Sequence, residues 1–197
     1  MNATTIPLTR RTTGILGVLV AALMLFGAGV AGAADKTLTW KGDFPAIGEQ
    51  TVKTVVRTEI PQKASPGQTL TVPFTLDVDA GEAAAQGLRL VGATKLSGTI
   101  HSSVTLTGSD GRTVPVAVEL PIPETPVPPE GTLTFSAKGS VEVTVPADAA
   151  PGQATSAADP NATTHVETDA PELGKFDVQL TLSPPDQDTV LGTTQIG

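Results

Sequence analysis

The residue types that usually carry out chemistry are scarce in this chain. It has two histidines, His101 and His165, and no cysteine or tyrosine. It contains no Gly-x-Ser-x-Gly, His-Glu-x-x-His or phosphate-binding glycine loop. His101 falls on the polar side of an alternating segment, and His165 falls in a polar stretch, so solvent exposure explains both more simply than a function. The sequence therefore predicts no catalytic and no cofactor-binding residue, and a protein that is not an enzyme.

Three carboxylates lie close together in sequence and are the best candidates for a metal site. Asp77, Asp79 and Glu82 surround Gly81, and a Ca²⁺ site in an extracellular loop would use such oxygen ligands. Their spacing differs from that of the twelve-residue helical calcium loop. Acidic residues near a turn are more often simply solvated, so we expect no metal site and no cofactor.

One row of polar side chains is a candidate binding surface. Thr99, His101, Ser103, Thr105 and Thr107 occupy every second position and share one face of a strand. Such a row can hydrogen-bond a glycan or a partner's strand, but a solvated sheet face is the simpler interpretation. Nearly all apolar residues are used by one face of each strand, which predicts no surplus for a deep ligand pocket.

The elements that position these residues are β-strands, because apolar and polar residues alternate along most of the chain. The clearest alternation covers residues 70–78, after a Pro-Gly turn at residues 65–68. Trp40, the only tryptophan, is expected in the core. We predict strands over residues 37–40, 51–60, 70–78, 88–91, 96–107, 114–120, 133–145 and 176–182, with a short one at 190–191.

A hairpin and a proline-rich segment occupy the middle of the chain. Residues 96–107 and 114–120 flank a glycine-containing turn at residues 108–111. Pro115 predicts that the second hairpin strand lies at a sheet edge, because proline lacks the N–H that a central strand needs. Five prolines within residues 121–129 predict an extended segment that crosses from one sheet of a sandwich to the other.

Three other features predict interruptions of the strands. Residues 83–87 predict one helical turn with Gly87 as its C-cap, and Lys138-Gly139 predicts a bulge or bend. Residues 146–172 contain mainly Ala, Asp, Pro, Gly, Ser and Thr. That composition predicts a loose polar loop.

The N-terminal segment is predicted to be a signal peptide, residues 1–33. Arg10 and Arg11 precede an apolar run that ends in Ala31-Gly32-Ala33, a site of the kind that signal peptidase cleaves. Thr13 and Gly14 stand where a twin-arginine signal requires bulky apolar residues, so the general secretory route is favoured. We expect a protein that is secreted or associated with the cell wall, with no membrane insertion after cleavage.

The remaining residues, 34–197, are enough for a single domain with a sizeable core. They contain ten basic and twenty acidic residues, a formal net charge of −10. Such an acidic protein is a poor partner for nucleic acid or anionic lipid. Without cysteine, the exported domain must hold its fold by packing alone. The composition also indicates a GC-rich bacterial genome.

Four segments in the same order resemble an uncharacterised domain family of secreted actinobacterial proteins. They are LTWKGDFPAIGEQ, GLRLVGATKLSGT, VPVAVELPIPETPVPPEGTLTFSAKG and LGKFDVQLTLSPPDQDTVL. The resemblance covers most of residues 36–192. It implies an all-β, immunoglobulin-like β-sandwich of about seven to nine strands, and almost nothing about activity.

The resemblance also implies a contact between the first and last strands. Members of this family usually carry cysteines at the positions of Gly42 and Leu180, and the resemblance implies that these form a disulfide; this chain lacks both. The family also tends to have a further strand in the region of residues 146–172, where this sequence is polar.

Two functions fit these observations. The first is a non-catalytic binding module of the cell envelope, whose partner is an extracellular protein or a cell-wall polymer. The second is a structural or spacer protein in a secreted assembly. A contiguous apolar surface patch would favour the first, and self-association at low micromolar concentration would favour the second.

Overall fold

The computed structural model describes residues 35–197, and in them it is all-β apart from one short helix. The helix is α1, Gly81–Leu90. The eleven strands are β1 Lys36–Phe44, β2 Gly48–Thr58, β3 Lys63–Ala64, β4 Thr69–Ala80, β5 Lys95–Thr107, β6 Thr113–Pro126, β7 Leu133–Thr144, β8 Gly152–Ala158, β9 Asn161–Thr168, β10 Lys175–Leu182 and β11 Val190–Ile196.

The strands form one continuous hydrogen-bonded path that branches at β5. The path runs β3-β11-β8-β5-β9-β10-β1-β2-β4-β7, and β6 pairs with β5 as a branch. One edge of β5 pairs with β6 along almost its whole length. The other edge is shared, because β9 pairs with residues 96–101 and β8 pairs with residues 104–107. β5 is therefore the strand from which the two halves of the sheet diverge.

The sheet curls so that two of its edge strands, β6 and β7, approach each other without a ladder between them. A Cβ atom placed on Gly139 of β7 would lie 2.9 Å from Leu120 Cδ2 and 3.4 Å from the carbonyl oxygen of Glu119, both on β6. Gly139 thus lets the two edges come close. The sequence had predicted a bulge or bend here, but β7 pairs with β4 in unbroken register from Thr134 to Thr144.

The core lies between the curled halves and follows the predicted alternation. Leu38, Trp40, Val72, Phe74 and Val78 are all buried, as the period of two requires. Trp40 donates a hydrogen bond from Nε1 to Thr54 Oγ1 at 2.9 Å, which satisfies its polar atom inside the core. No buried side-chain nitrogen or oxygen among residues 35–197 lacks a hydrogen-bond partner.

The all-β fold class is confirmed, but the structure has more strands than the seven to nine expected. The difference comes mainly from residues 146–172, and the prediction of a loose polar loop there is wrong. β8 and β9 lie inside that segment and pair with β5, β10 and β11. Small side chains such as Ala162 and Thr164 are buried because neighbouring strands cover them.

The predicted crossover at residues 121–129 is also wrong. Pro121 lies opposite Thr99 and Pro126 lies opposite Lys95, so the prolines continue β6 as a strand. β6 pairs with only one strand, and an edge position tolerates proline because its outer side needs no N–H. The same pairing confirms that Pro115 lies in an edge strand.

The helix is longer than predicted, and it replaces the strand expected at residues 88–91. Gly87 is inside α1 rather than at its end, and Leu88 is buried. The glycine that ends the helix is Gly92, with a φ of 77° and an N–H that bonds the Arg89 carbonyl at 3.0 Å. The turn at residues 65–68 forms as predicted, with Gly67 at a φ of 78°.

The predicted signal peptide, residues 1–33, lies outside the described residues. Among residues 35–197, no helix has the length and apolar character that crossing a membrane requires.

Candidate functional site

Two apolar cavities lie among residues 35–197, and the first is at the helix end of β5. It has a volume of about 140 Å³ and is called here the helix-side cavity. Trp40, Phe176 and Leu88 are among the apolar side chains that line it. Its partly exposed wall is formed by the β1–β2 turn and by α1, where Ile47 packs against the backbone at Gly87.

The second cavity, called the turn-side cavity, lies at the opposite end of β5 and has a volume of about 170 Å³. Its walls come from β6 and β7, with Val116 on one side and Val143 on the other. It therefore lies along the unpaired approach of these two edge strands. Ile60 and Leu106 complete the apolar lining.

Charged groups stand at the rim of the turn-side cavity. Arg112 Nη1 donates to Asp148 Oδ2 at 2.8 Å, and Arg112 Nε donates to Asp110 Oδ2 at 2.6 Å. The hydrogen bonds from this guanidinium lower the pKa of both Asp148 and Asp110. All three side chains contact solvent, so the rim is polar while the lining is apolar.

Three side chains separate the two cavities. Phe74, Val104 and Val118 line both of them, and each is buried. These three side chains therefore form a wall that the two cavities share. The expectation that no apolar surplus exists for a pocket is wrong.

The composition explains why space is left inside. The whole chain has five phenylalanines, one tryptophan and no tyrosine, and its core is built mainly from valine, alanine and leucine. Aromatic side chains fill the most volume per residue in a core. Their scarcity is the sequence feature from which incomplete filling could have been inferred, and alternation alone did not convey it.

The second candidate site is on the outer face of the sheet, where the structure brings together the two histidines. Their ring centroids lie 4.9 Å apart with the planes inclined at 73°. His165 Nδ1 hydrogen-bonds Asp177 on β10, and His101 Nδ1 lies 3.8 Å from Glu119 Oε2 on β6. Four strands therefore present a row of carboxylate, imidazole, imidazole and carboxylate, which spacing in sequence did not indicate.

Each imidazole faces one carboxylate, and no hydroxyl among residues 35–197 hydrogen-bonds either ring. The nitrogen and oxygen atoms of this row can bind a cation or accept hydrogen bonds.

The other predicted candidates are occupied by contacts within the protein. Asp77 bonds Arg57 and Ser136, and Asp79 accepts the N–H of Gly81 at 2.9 Å. Among the described residues, no group of three or more His, Cys, Asp or Glu side chains is arranged to hold a metal ion.

The polar row on β5 is also partly occupied. Ser103 and Thr105 both donate to the carboxylate of Asp159, the latter at 2.5 Å. The whole row is half-buried rather than fully exposed. As a surface for a glycan or a partner's strand, it therefore offers fewer free groups than the sequence indicated.

Gly42 and Leu180 are direct partners in the β1–β10 ladder. A Cβ atom on Gly42 would lie 2.7 Å from Leu180 Cδ2, so the leucine side chain fills the space beside the glycine. β1 and β10 are therefore neighbours at these positions, as the family resemblance implied, and a glycine–leucine pair stands there.

Comparison with known proteins adds one result. The model of a family described as "Family of unknown function (DUF6801)" matches residues 39–192. No curated protein and no solved structure matches the chain.

Proposed function

The chain belongs to this family of unknown function, and we propose that it is a non-catalytic binding protein that acts outside the cytoplasm and holds an apolar ligand between its strands. The observation that carries the proposal is the pair of apolar cavities at the two ends of β5. Protein interiors are normally packed with few voids larger than a water molecule.

Apolar side chains that line an empty space lack van der Waals partners on that side. Both cavities are partly open, and their linings are almost entirely apolar. A ligand that fills the space supplies the missing contacts, so this interior favours an apolar ligand over a polar one.

The shape of the space favours a slender ligand. Leu96 lines the helix-side cavity and Leu106 the turn-side cavity; ten residues of strand place them about 30 Å apart. Each cavity alone matches the apolar cavity of about 150 Å³ that accepts benzene. We therefore expect a slender apolar ligand such as an acyl chain, with the charged rim at Arg112 in contact with water.

Secretion is part of the proposal and rests on the sequence. A basic start, an apolar run and the Ala31-Gly32-Ala33 site support cleavage of residues 1–33. Intact-mass analysis of culture supernatant is expected to find a chain that begins at Ala34 or Asp35. Recovery of mainly full-length, membrane-bound chain would contradict it.

The binding test enlarges one side chain of the wall that the two cavities share. Val118 is 7% exposed and lines both cavities, so Val118→Phe places a ring in the space that the ligand needs. The matched control is Val190→Phe, the same substitution at a residue that is 41% exposed and lines neither cavity. Binding is measured by fluorescence with a conjugated polyene fatty acid, with thermal melts to verify folding.

We expect V118F to weaken binding at least tenfold, because the ring occupies the ligand's volume, and V190F to bind like the unchanged protein. If the unchanged protein binds no apolar probe, or if folded V118F binds as well as V190F, the interior is not the binding site.

A further inference from the structure

We propose that His101 and His165 form a binding site for a late first-row divalent metal ion, with Cu²⁺ bound most tightly. The site lies on the outer face of the sheet, on β5 and β9, and is independent of the interior cavities. It uses both histidines of the whole chain.

The spacing of the two rings is the first argument. Metal–nitrogen bonds of about 2.1 Å put each ring centroid about 3.2 Å from the ion, so two rings on one ion lie about 4.5 Å apart at 90° and about 5.2 Å apart at 109°. The observed centroid distance of 4.9 Å falls between these values. The ring separation therefore falls in the range that two ligands of one shared ion require.

The strand register explains why the spacing is stable. His101 is opposite Thr163, and His165 is opposite Thr99, so the two histidines are diagonal neighbours in the β5–β9 ladder. The β5–β9 ladder and the β9–β10 ladder are both continuous through these positions. The backbone thus holds the rings together on a rigid support, which lowers the cost of ordering them around an ion.

The carboxylates are the second argument. His165 Nδ1 bonds Asp177, and His101 Nδ1 is 3.8 Å from Glu119. Metal-binding histidines commonly use one ring nitrogen for the ion and donate the other N–H to a carboxylate. Here the Nδ1 atoms face the carboxylates, which leaves each Nε2 for the metal. The two negative charges also favour a cation between the rings.

The ligand types select the metal. Imidazole nitrogen suits copper, nickel and zinc, whereas Ca²⁺ and Mg²⁺ require oxygen ligands. Two histidines supply two positions, and water completes the coordination. Affinity for nitrogen ligands rises along the series to Cu²⁺ and falls at Zn²⁺, so we expect Cu²⁺ to bind more tightly than Ni²⁺ or Zn²⁺.

The test uses the full chain purified without a histidine tag and titrated calorimetrically with CuCl₂, NiCl₂ or ZnCl₂. We expect one Cu²⁺ per chain, and signals from two nitrogens in the electron paramagnetic resonance spectrum. His101→Asn and His165→Asn are each expected to weaken Cu²⁺ binding at least tenfold, because each removes half of a chelate.

Two substitutions that each remove one negative charge distinguish support of the His165 ring from general electrostatic attraction. Asp177→Asn removes the carboxylate on β10 that is bonded to His165, while Glu167→Gln removes a carboxylate on β9, the strand of His165, that pairs with Lys175 at 2.5 Å. We expect D177N to weaken Cu²⁺ binding about tenfold, as for other partners of metal-bound histidines. E167Q is expected to change it less than twofold.

Two results would overturn the proposal. In the first, a single histidine variant retains half of the bound copper at unchanged affinity, which means that the rings bind independently. In the second, the unchanged chain binds Cu²⁺ no better than the folded double variant H101N/H165N. Both histidines are partly exposed, so these variants are expected to fold.

Discussion

Replacing Gly42 and Leu180 with cysteine tests the contact between β1 and β10. The two residues are opposite each other in the ladder, and directly paired residues on neighbouring strands are at a distance that a disulfide can bridge. We expect the double variant to form this bond under oxidising conditions. The bond would close a loop of nearly the whole domain.

The expected stabilisation is the difference between a large gain and two smaller losses. Closing a loop of about 140 residues contributes about 5 kcal/mol in the chain-entropy account. Leu180 is 9% exposed, and losing its buried methyl groups costs about 2 kcal/mol. A Cβ on Gly42 would lie 2.8 Å from the Gln179 carbonyl oxygen, and relieving that contact costs about 1 kcal/mol. The oxidised variant should therefore be about 2 kcal/mol more stable than the unchanged protein.

The assay compares urea unfolding of the double variant with and without reductant. The oxidised form should exceed the reduced form by about 5 kcal/mol, because only the crosslink differs between them. Free thiols are counted by mass spectrometry after alkylation. The control is Gly42→Ala, which introduces the Cβ without a bond and should cost about 1 to 3 kcal/mol because of its contact with Leu180.

Two outcomes would refute the reasoning at different points. Two free thiols in the oxidised variant would mean that Gly42 and Leu180 are not neighbours, and the β1–β10 register would be wrong. A complete bond with no difference between oxidised and reduced forms would leave the register intact and refute the entropic magnitude.

Two further predictions concern the hydrogen bonds of the Asp169 carboxylate and of the buried Trp40 indole. Asp169 accepts bonds from the Thr94 hydroxyl and from the N–H groups of Thr94 and Lys95, which lower its pKa to about 2. The stability that the ionised Asp169 contributes is therefore present above the ordinary pKa of 3.8 and is lost as the pH falls towards 2. In thermal melts over that pH range, Asp169→Asn should lose less melting temperature than the unchanged protein. Equal losses would contradict the assignment. Thr54→Val leaves the Trp40 indole N–H without its partner and should cost about 1 to 3 kcal/mol in urea unfolding. Adding Trp40→Phe should cost less than the sum of the single changes, and strict additivity would mean that the bond contributes nothing.

Several elements of the fold could be read from sequence because they depend on local patterning. The alternation over residues 70–78 appears as β4, and the hairpin at residues 96–120 appears as β5 and β6. Large apolar residues at every second position specify a buried face whatever the neighbouring strands are. The turn at residues 65–68 needed only Pro and Gly in adjacent positions.

Other elements depend on what packs beside them, and only the tertiary structure decided them. β8 and β9 have few large apolar residues, so their own sequence resembles a loop, and they are strands because β5, β10 and β11 supply the hydrogen bonds and cover their small side chains. The prolines of β6 are compatible with a strand only because that strand has one free edge.

The candidate sites depended on tertiary structure even more than the fold did. The sequence by itself determined that chemistry-bearing side chains are few, that the core is poor in aromatic residues, and that His101 lies on the polar side of its strand. It could not place His165 beside His101, because 64 residues separate them and their contact follows from the register of two distant strands. Nor could it locate the cavities, because an empty volume is a property of how the strands curl around their side chains.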